Sequence, residues 1–319
     1  MKKTLALNDY LDGFINQDRT ILSRAITLIE SQNQDHQKLA QELLQTLLPK
    51  TGKSKRIGIS GTPGVGKSTF IESFGKLLSS QQQTLAVLAV DPTSQVSGGS
   101  ILGDKTRMNE LAIDPLAYIR PSPSGTTLGG VAKRTRESLL LCEAFGFDFV
   151  LVETVGVGQS ETTVAQMVDL FVMLLQPGAG DDLQGIKRGI LEMVDMVVVT
   201  KDDGENHQII QKAKHDYERA LHILRHDGWI PPVLSCSALT KTGLPEIQSV
   251  IEKYFEQQQD LIKAKRDQQG LNWMWQLIND GLKDKFLSRI SPHEFKKTET
   301  EVLTQGMTPP QAAQYLLNL

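Results

Sequence analysis

The sequence predicts an α/β protein: a P-loop NTPase with a doubly wound, mostly parallel sheet, helices ahead of it and a helical arm behind. Three observations carry this expectation. Short β-branched apolar runs alternate with helix-length stretches between residues 56 and 235, and near-continuous apolar strands mark a parallel sheet covered on both faces. Gly61-Thr62-Pro63-Gly64-Val65-Gly66-Lys67-Ser68 fits the phosphate-loop pattern G-x-x-x-x-G-K-[ST] and stands between a strand and a helix, the context that pattern requires. Before residue 48 and after residue 271, apolar residues recur at helical spacing instead.

In the leading segment Leu11, Phe14, Ile15, Ile21, Leu22, Ala25, Ile26 and Ile29, then Leu39, Leu43, Leu44 and Leu47, follow the helical period and predict two or three helices. Pro49-Lys50-Thr51-Gly52-Lys53 breaks the period with a polar, turn-rich connector. The expected division is therefore a helical extension over 1–52, a nucleotide-binding domain over 53–256 and a helical arm over 257–319. Within the middle part, strands are predicted at Arg56–Ser60, Thr84–Val90, Ala117–Arg120, Phe147–Glu153, Leu170–Leu175, Met196–Thr200 and Val233–Ser235. Functional loops belong at the carboxyl ends of such strands.

In the arm, Leu271–Arg289 carries Trp273, Trp275, Leu277, Ile278, Leu282 and Phe286, an amphipathic helix. Trp273 and Trp275 are two apart and point to different helix faces, which suits one for packing at home and the other for a partner, or both for a core. Thr308-Pro309-Pro310 reads as an N-cap with prolines in the first turn of a last helix.

A chain of 319 residues, 39% hydrophobic and 22% charged with a formal charge of −3, is globular in composition and has no basic field. General nucleic-acid or membrane-surface binding therefore has no electrostatic support. Cys142 and Cys236 lack CxxC spacing and suit buried small hydrophobes rather than a disulfide or zinc framework. Lys2 and Lys3 soon meet Asn8, Asp9 and Asp12 rather than a signal-peptide apolar run, and no apolar run has membrane-spanning length. A cytoplasmic protein is expected.

The phosphate-binding set runs from Gly61 through Thr62, Pro63, Gly64, Val65, Gly66, Lys67 and Ser68 to Thr69. Its glycines let backbone N–H groups wrap phosphates at a helix N-terminus. Lys67 is placed for the β- and γ-phosphates and Ser68 for Mg²⁺. Phe147–Glu153 is a buried-type strand ending in an acid, so Glu153 stands where the metal-site carboxylate of a P-loop protein belongs, and Gly156 stands where a γ-phosphate-sensing glycine would. Asp91, closing a strand, and Asp104 beyond it complete an oxygen set suited to Mg²⁺, direct or through water, although each also reads as a cap or turn residue.

The base is chosen elsewhere. Thr200-Lys201-Asp202-Asp203 resembles the guanine motif N-K-x-D, with Asp203 accepting from the guanine N1–H and amine and Lys201 lying along the base. Thr200 replaces the usual Asn and so lacks the amide that ties this motif to the P-loop. Ser237-Ala238-Leu239, after the next strand, resembles the second guanine element, with the Ala238 N–H facing the guanine carbonyl. GTP is expected over ATP.

Four further blocks are not generic: Val90-Asp91-Pro92-Thr93-Ser94, Ile101 to Met108, Glu153 to Glu161, and Pro177 to Lys187. Together, over nearly the whole chain, they resemble the methylmalonyl-CoA mutase-associated GTPases, also labelled MeaB- or ArgK-like. The resemblance implies a homodimeric, Mg²⁺-dependent G protein that hydrolyses GTP to GDP and phosphate. Its implied task is to gate adenosylcobalamin loading of an adenosylcobalamin-dependent mutase, methylmalonyl-CoA mutase or a related acyl-CoA mutase, and to protect or reactivate it. It further implies that Asp91, Asp104 and Glu153 are metal-site acids, that 153–161 is a second switch, and that 176–187 is a third, whose Asp181 and Lys187 sense the partner. The arm contributes to the dimer contact. Arg107 and Gln159 are candidates for orienting the hydrolytic water or steadying its charge, and surface-loop roles suit them equally well.

Three alternatives compete. An ATPase or kinase associated with lysine, arginine and ornithine transport would need a membrane partner, for which the sequence offers neither spanning helix nor basic amphipathic face. A nickel-insertion GTPase would need Cys or His ligands, and His222 and His226, at i and i+4, suit a solvated pair better. A nucleotide-locked scaffold would turn over slowly or not at all.

Overall fold

The computed structural model describes residues 5–90, 108–121, 128–154, 160–176, 188–203, 207–224 and 228–319. The chain divides into two compact units, Met1–Ile262 and Lys263–Leu319.

The first unit opens with α1 (Leu7–Ile15), α2 (Arg19–Glu30) and α3 (Gln34–Leu47). Asp18 and Asn33 cap α2 and α3 by accepting from the first-turn N–H groups of Thr20 and Asp35, each at 2.8 Å. Their apolar stripes, among them Leu22, Ile26 and Leu43, are completely buried, as the helical spacing predicts. The strands follow as β1 (Lys55–Gly61), β2 (Leu85–Val90), β3 (Ala117–Arg120), β4 (Phe149–Thr154), β5 (Leu170–Leu175), β6 (Met196–Val199) and β7 (Val233–Ser235). Between them lie α4 (Lys67–Ser80), α5 (Asn109–Ala112), α6 (Leu128–Phe145), α7 (Ser160–Ala165), α8 (Arg188–Leu191) and α9 (His207–Leu224), and α10 (Leu244–Gln257) follows β7.

All seven predicted strands are present, shifted by at most two residues at their ends. They form one parallel sheet in the order β3-β2-β4-β1-β5-β6-β7. Strands β2, β4 and β5 are buried at every position because both faces are covered. Successive residues of β2 alternate between two cores. Ala86, Leu88 and Val90 share one with α1–α3 and α6, while Leu85 and Val87 share the other with α4 and α10. The chain leaves β1 toward β2 and β3, returns beside β1 as β4, then continues on its other side as β5. That reversal places β1 at the switch point, where ligand loops of open α/β sheets collect.

The leading helices share the sheet's first core and are tied to β3 by polar contacts. The Arg19 guanidinium donates to Ala117 O at 2.7 Å and also to Pro115 O, Ser23 Oγ lies 3.1 Å from Tyr118 Oη, and Arg120 pairs with Glu30. Arg56 of β1 pairs with Glu143 of α6 at 2.6 Å, both side chains being largely buried.

Glu137 of α6 faces a small cleft of about 150 Å³ beside α2 and α3, lined by Ile29, Ser31, Gln37, Lys133 and Arg134. Burial pushes its carboxyl up to about 7, against the opposing pull of Lys133 and Arg134. Between the usual carboxylate range and pH 7 the folded form thus holds a proton that the unfolded chain has released. Stability should fall as pH rises through that window. Because the group is partly solvated, the contribution is discounted to about 1–2 kcal/mol. Glu137→Gln should flatten the slope between about pH 5 and 7 and be the more stable protein at pH 8 by about that amount. Urea midpoints across pH test this, and an unchanged slope would contradict it.

The second unit holds most of α11 (Gln259–Arg289), then α12 (Pro292–Leu303) and α13 (Pro309–Leu317). The first part of the predicted arm is one 31-residue helix, followed by the two shorter ones. Leu271, Trp275, Ile278 and Leu282 form an exposed stripe at coiled-coil spacing, with Trp275 59% exposed. Phe286 and Phe295 meet edge-to-face at 6.3 Å, and Tyr315 Oη donates to Glu294 at 2.7 Å. Thr308 caps α13 in a capping box with Gln311, as the Thr-Pro-Pro run predicts. Among the described residues, no helix is long and apolar enough to cross a membrane.

Candidate nucleotide site

The loop from Gly61 to Lys67 leaves the carboxyl end of β1 and enters α4 directly. Gly64 and Gly66 have φ of +83° and +99°, and a Cβ at either would meet nothing within 4 Å. Glycine is there for backbone conformation and leaves an open cradle of N–H groups at the start of α4. Val65, by contrast, is buried and pins the loop to the core of α4 and α10.

Lys67, the first residue of α4, folds back so that Nζ donates to Gly61 O at 2.7 Å and Thr62 O at 3.2 Å. Ser68 Oγ donates to Glu153 Oε1 at 3.1 Å. Glu153 is 4% exposed and lies in β4, the neighbour of β1. A hydroxyl and a buried carboxylate, 85 residues apart in sequence, are thus adjacent beside the phosphate cradle. They form a hard oxygen pair that fits Mg²⁺. Thr69 is exposed on the first turn of α4.

Across the sheet, the loops after β6 and β7 come together. Thr200 is buried. Its N–H donates to Leu175 O at 2.8 Å, and its hydroxyl is directed at Val65 O at 2.8 Å with Leu175 O also in reach at 3.3 Å. The tie that an Asn amide would supply is therefore kept, in shorter form, by a threonine hydroxyl. Lys201 has φ of +64°, and its Nζ donates to Gly64 O at 3.0 Å. Asp203 accepts from Ser237 Oγ at 2.7 Å, Ser73 Oγ of α4 donates to Ala238 O at 2.7 Å, and Leu239 is 78% exposed. All the described candidates are brought to one end of the sheet. Asp91, Asp104, Arg107, Gly156, Gln159, Asp181 and Lys187 lie outside the described residues, as does His226.

Several residues that hold this site are not apparent from motif reading. Asp202, the variable position of the guanine motif, accepts from Ser235 Oγ at 2.7 Å and lies 2.9 Å from His207 Nδ1. Burial raises its carboxyl pKa, but the bonds from Ser235 and His207 and the charges of His207 and Lys214 outweigh that and hold it below the usual range. Cys236 is buried and its thiol is pushed up to about 12, by burial first and by Asp202 second, so it offers no thiolate at neutral pH.

A Walker-type loop at the switch point of a parallel sheet, a Ser–carboxylate pair beside it and two strand-end loops facing it define a P-loop nucleotide-binding protein. The model of the family described as methylmalonyl-CoA mutase-associated GTPase MeaB matches residues 22–291. The chain is 53% identical over 261 residues to a protein of Escherichia coli K12 named GTPase ArgK, covering 81% of this chain and 79% of that one. It is 46% identical over 320 residues to the Mus musculus methylmalonic aciduria type A homolog, mitochondrial, covering 96% and 77%. The crystal structure of a LAO/AO transport system kinase superposes with a TM-score of 0.79 at 38% identity, covering 100% of this chain and 98% of that one. The chain belongs to the MeaB family of methylmalonyl-CoA mutase-associated GTPases.

Proposed function

We propose that this protein is a Mg²⁺-dependent GTPase that acts as a G-protein chaperone. Its task is to gate adenosylcobalamin loading of an adenosylcobalamin-dependent acyl-CoA mutase, methylmalonyl-CoA mutase in the first instance, and to protect or reactivate that enzyme. The observation that carries the reading is the convergence of a phosphate cradle and two guanine-type loops at one sheet edge, in a chain of the mutase-associated family.

In this reading Lys67 exchanges its carbonyl partners for the β- and γ-phosphate oxygens and offsets the charge that develops in transfer. The loop N–H groups hold the phosphates in line. Ser68 and Glu153, with Asp91 and Asp104, hold Mg²⁺, which supplies further charge neutralisation when bound. Asp203 accepts from the guanine N1–H and amine, the Ala238 N–H faces the guanine carbonyl, and Lys201 and Leu239 flank the ring. Arg107 and Gln159 steady or orient the water, while Gly156 senses the γ-phosphate. Asp181 and Lys187 report the partner to the nucleotide. The stripe of Leu271, Trp275, Ile278 and Leu282 contributes to a homodimer.

GTP and ATP hydrolysis by the purified chain with Mg²⁺, with and without an adenosylcobalamin-dependent mutase, tests the reading, with light scattering on the same sample for the dimer. Slow GTP turnover accelerated at least about tenfold by the mutase is expected, the sense in which partner-supplied groups act on G proteins. ATP preference would instead favour the transport-associated kinase reading that the LAO/AO kinase likeness keeps in view. Indifference to every such mutase would remove the client.

A further inference from the structure

We infer that Asp202, which does not itself face the base, is the positioning residue for guanine discrimination: it clamps the two base-reading loops to each other and to α9. The inference rests on the reading that Asp203 accepts from guanine. Three groups meet on this one residue, two from the end of β7 and one from α9. Its N–H donates to Cys236 O at 3.0 Å, one carboxylate oxygen accepts from Ser235 Oγ at the end of β7 at 2.7 Å, and the other accepts from His207 Nδ1, at the first residue of α9, at 2.9 Å.

The need for a clamp follows from the backbone. Lys201 is held at φ +64°, a left-handed conformation that costs a side-chain-bearing residue about 1–2 kcal/mol. Released, the turn would relax and carry Asp203 with it. On the side of Lys201 away from Asp202, Thr200 and Lys201 tie the loop to the phosphate loop. On the other side, among the described residues, Asp203 is joined to Ser237 by one side-chain bond of 2.7 Å. Asp202 joins the same two chain segments one position earlier after β6 and two positions earlier at the end of β7, so the pairs Asp202–Ser235 and Asp203–Ser237 act as two rungs. The first rung is remote from the base and the second adjoins it. A base acceptor must be fixed to a fraction of an ångström before it can discriminate, and the remote rung fixes it.

The clamp should therefore act on the base and spare the phosphates. Binding of GDP, ADP and inorganic pyrophosphate to the full chain with Mg²⁺, read by displacement of a fluorescent GDP analogue, separates the two. Asp202→Ala is expected to weaken GDP about tenfold or more and to narrow the GDP-over-ADP ratio by a similar factor, with pyrophosphate displacement within about twofold of wild type. Asp202→Asn should stay within about threefold for GDP, because its amide oxygen accepts from Ser235 and its amide N–H can meet the other His207 tautomer. Ser235→Ala and His207→Ala should each cost part of the effect and add little to Asp202→Ala. Equal loss of GDP and pyrophosphate by Asp202→Ala, or retention of GDP within twofold, would overturn the inference. Asp203→Ala separates the levels. If it collapses the GDP-over-ADP ratio while Asp202→Ala does not, the clamp alone is wrong. If it leaves the ratio intact, the base site itself is wrong.

Discussion

Replacing Lys67 by alanine is expected to abolish GTP turnover, by 10³-fold or about that, while leaving the protein folded. The argument begins with its position. Lys67 is the first residue of α4, where a cation opposes the positive end of the helix dipole at a typical cost of 0.3–1 kcal/mol, roughly. Removing the ammonium forfeits two hydrogen bonds, to Gly61 O and Thr62 O, and removes that penalty. The removed penalty offsets only part of the lost bonds, which are partly screened by solvent, so the thermal midpoint should move by the equivalent of about 1–2 kcal/mol. A lysine so placed contributes only modestly to stability, and its role lies with the anion it would meet. Single-turnover GTP hydrolysis alongside thermal unfolding makes the check. A variant hydrolysing GTP within tenfold of wild type would show that the phosphate site is elsewhere.

Gly243→Ala is expected to act through the backbone. Gly243 precedes α10 with φ +79°, and a Cβ there would lie 2.2 Å from Ser235 O and 3.1 Å from Cys236 Cα. Both obstacles are main-chain atoms of the second base loop, so no side-chain rotation relieves them. A destabilisation of about 2–4 kcal/mol is expected, the sum of left-handed strain and forced displacement. Because the displaced atoms adjoin Ser235 and Ser237, GDP affinity should fall further than stability alone explains. Denaturant midpoints and GDP binding below the unfolding transition test the two parts separately. A variant as stable as wild type would mean that the loop has room it does not show.

The sheet was legible because its strands are continuous apolar runs, and such runs have few other stable uses than a covered parallel sheet. The leading helices were legible from the spacing of Leu22, Ile26, Ile29 and Leu43. The phosphate loop and Glu153 could be read because consecutive residues, or one strand, carry each signal. The pairing of Asp202 with Ser235 and His207 could not, because nothing local marks a carboxylate for a hydroxyl 33 residues away. Thr200 shows the limit of motif matching. Judged by its missing amide it is a departure, but its hydroxyl makes the bond because the backbone passes close to Val65 O. The continuous α11 was also missed as one element, since its polar first half and apolar second half differ in composition while sharing helix-forming residues.

The strand order has a mechanical consequence. Lys67, Ser68 and Glu153 come from β1 and β4, whereas Lys201, Asp203 and Ser237 follow β6 and β7, with β5 between them. On the proposed reading, a nucleotide lying across this edge would be held like work between two jaws. The jaw that would grip the base is riveted by threonine, serine and aspartate side chains. The jaw that would meet the terminal phosphate carries, among the described residues, Lys67 and the contact between Ser68 and Glu153. On the proposed reading, such an instrument would measure at one end without loosening at the other, registering the loss of one phosphate while still holding what remains.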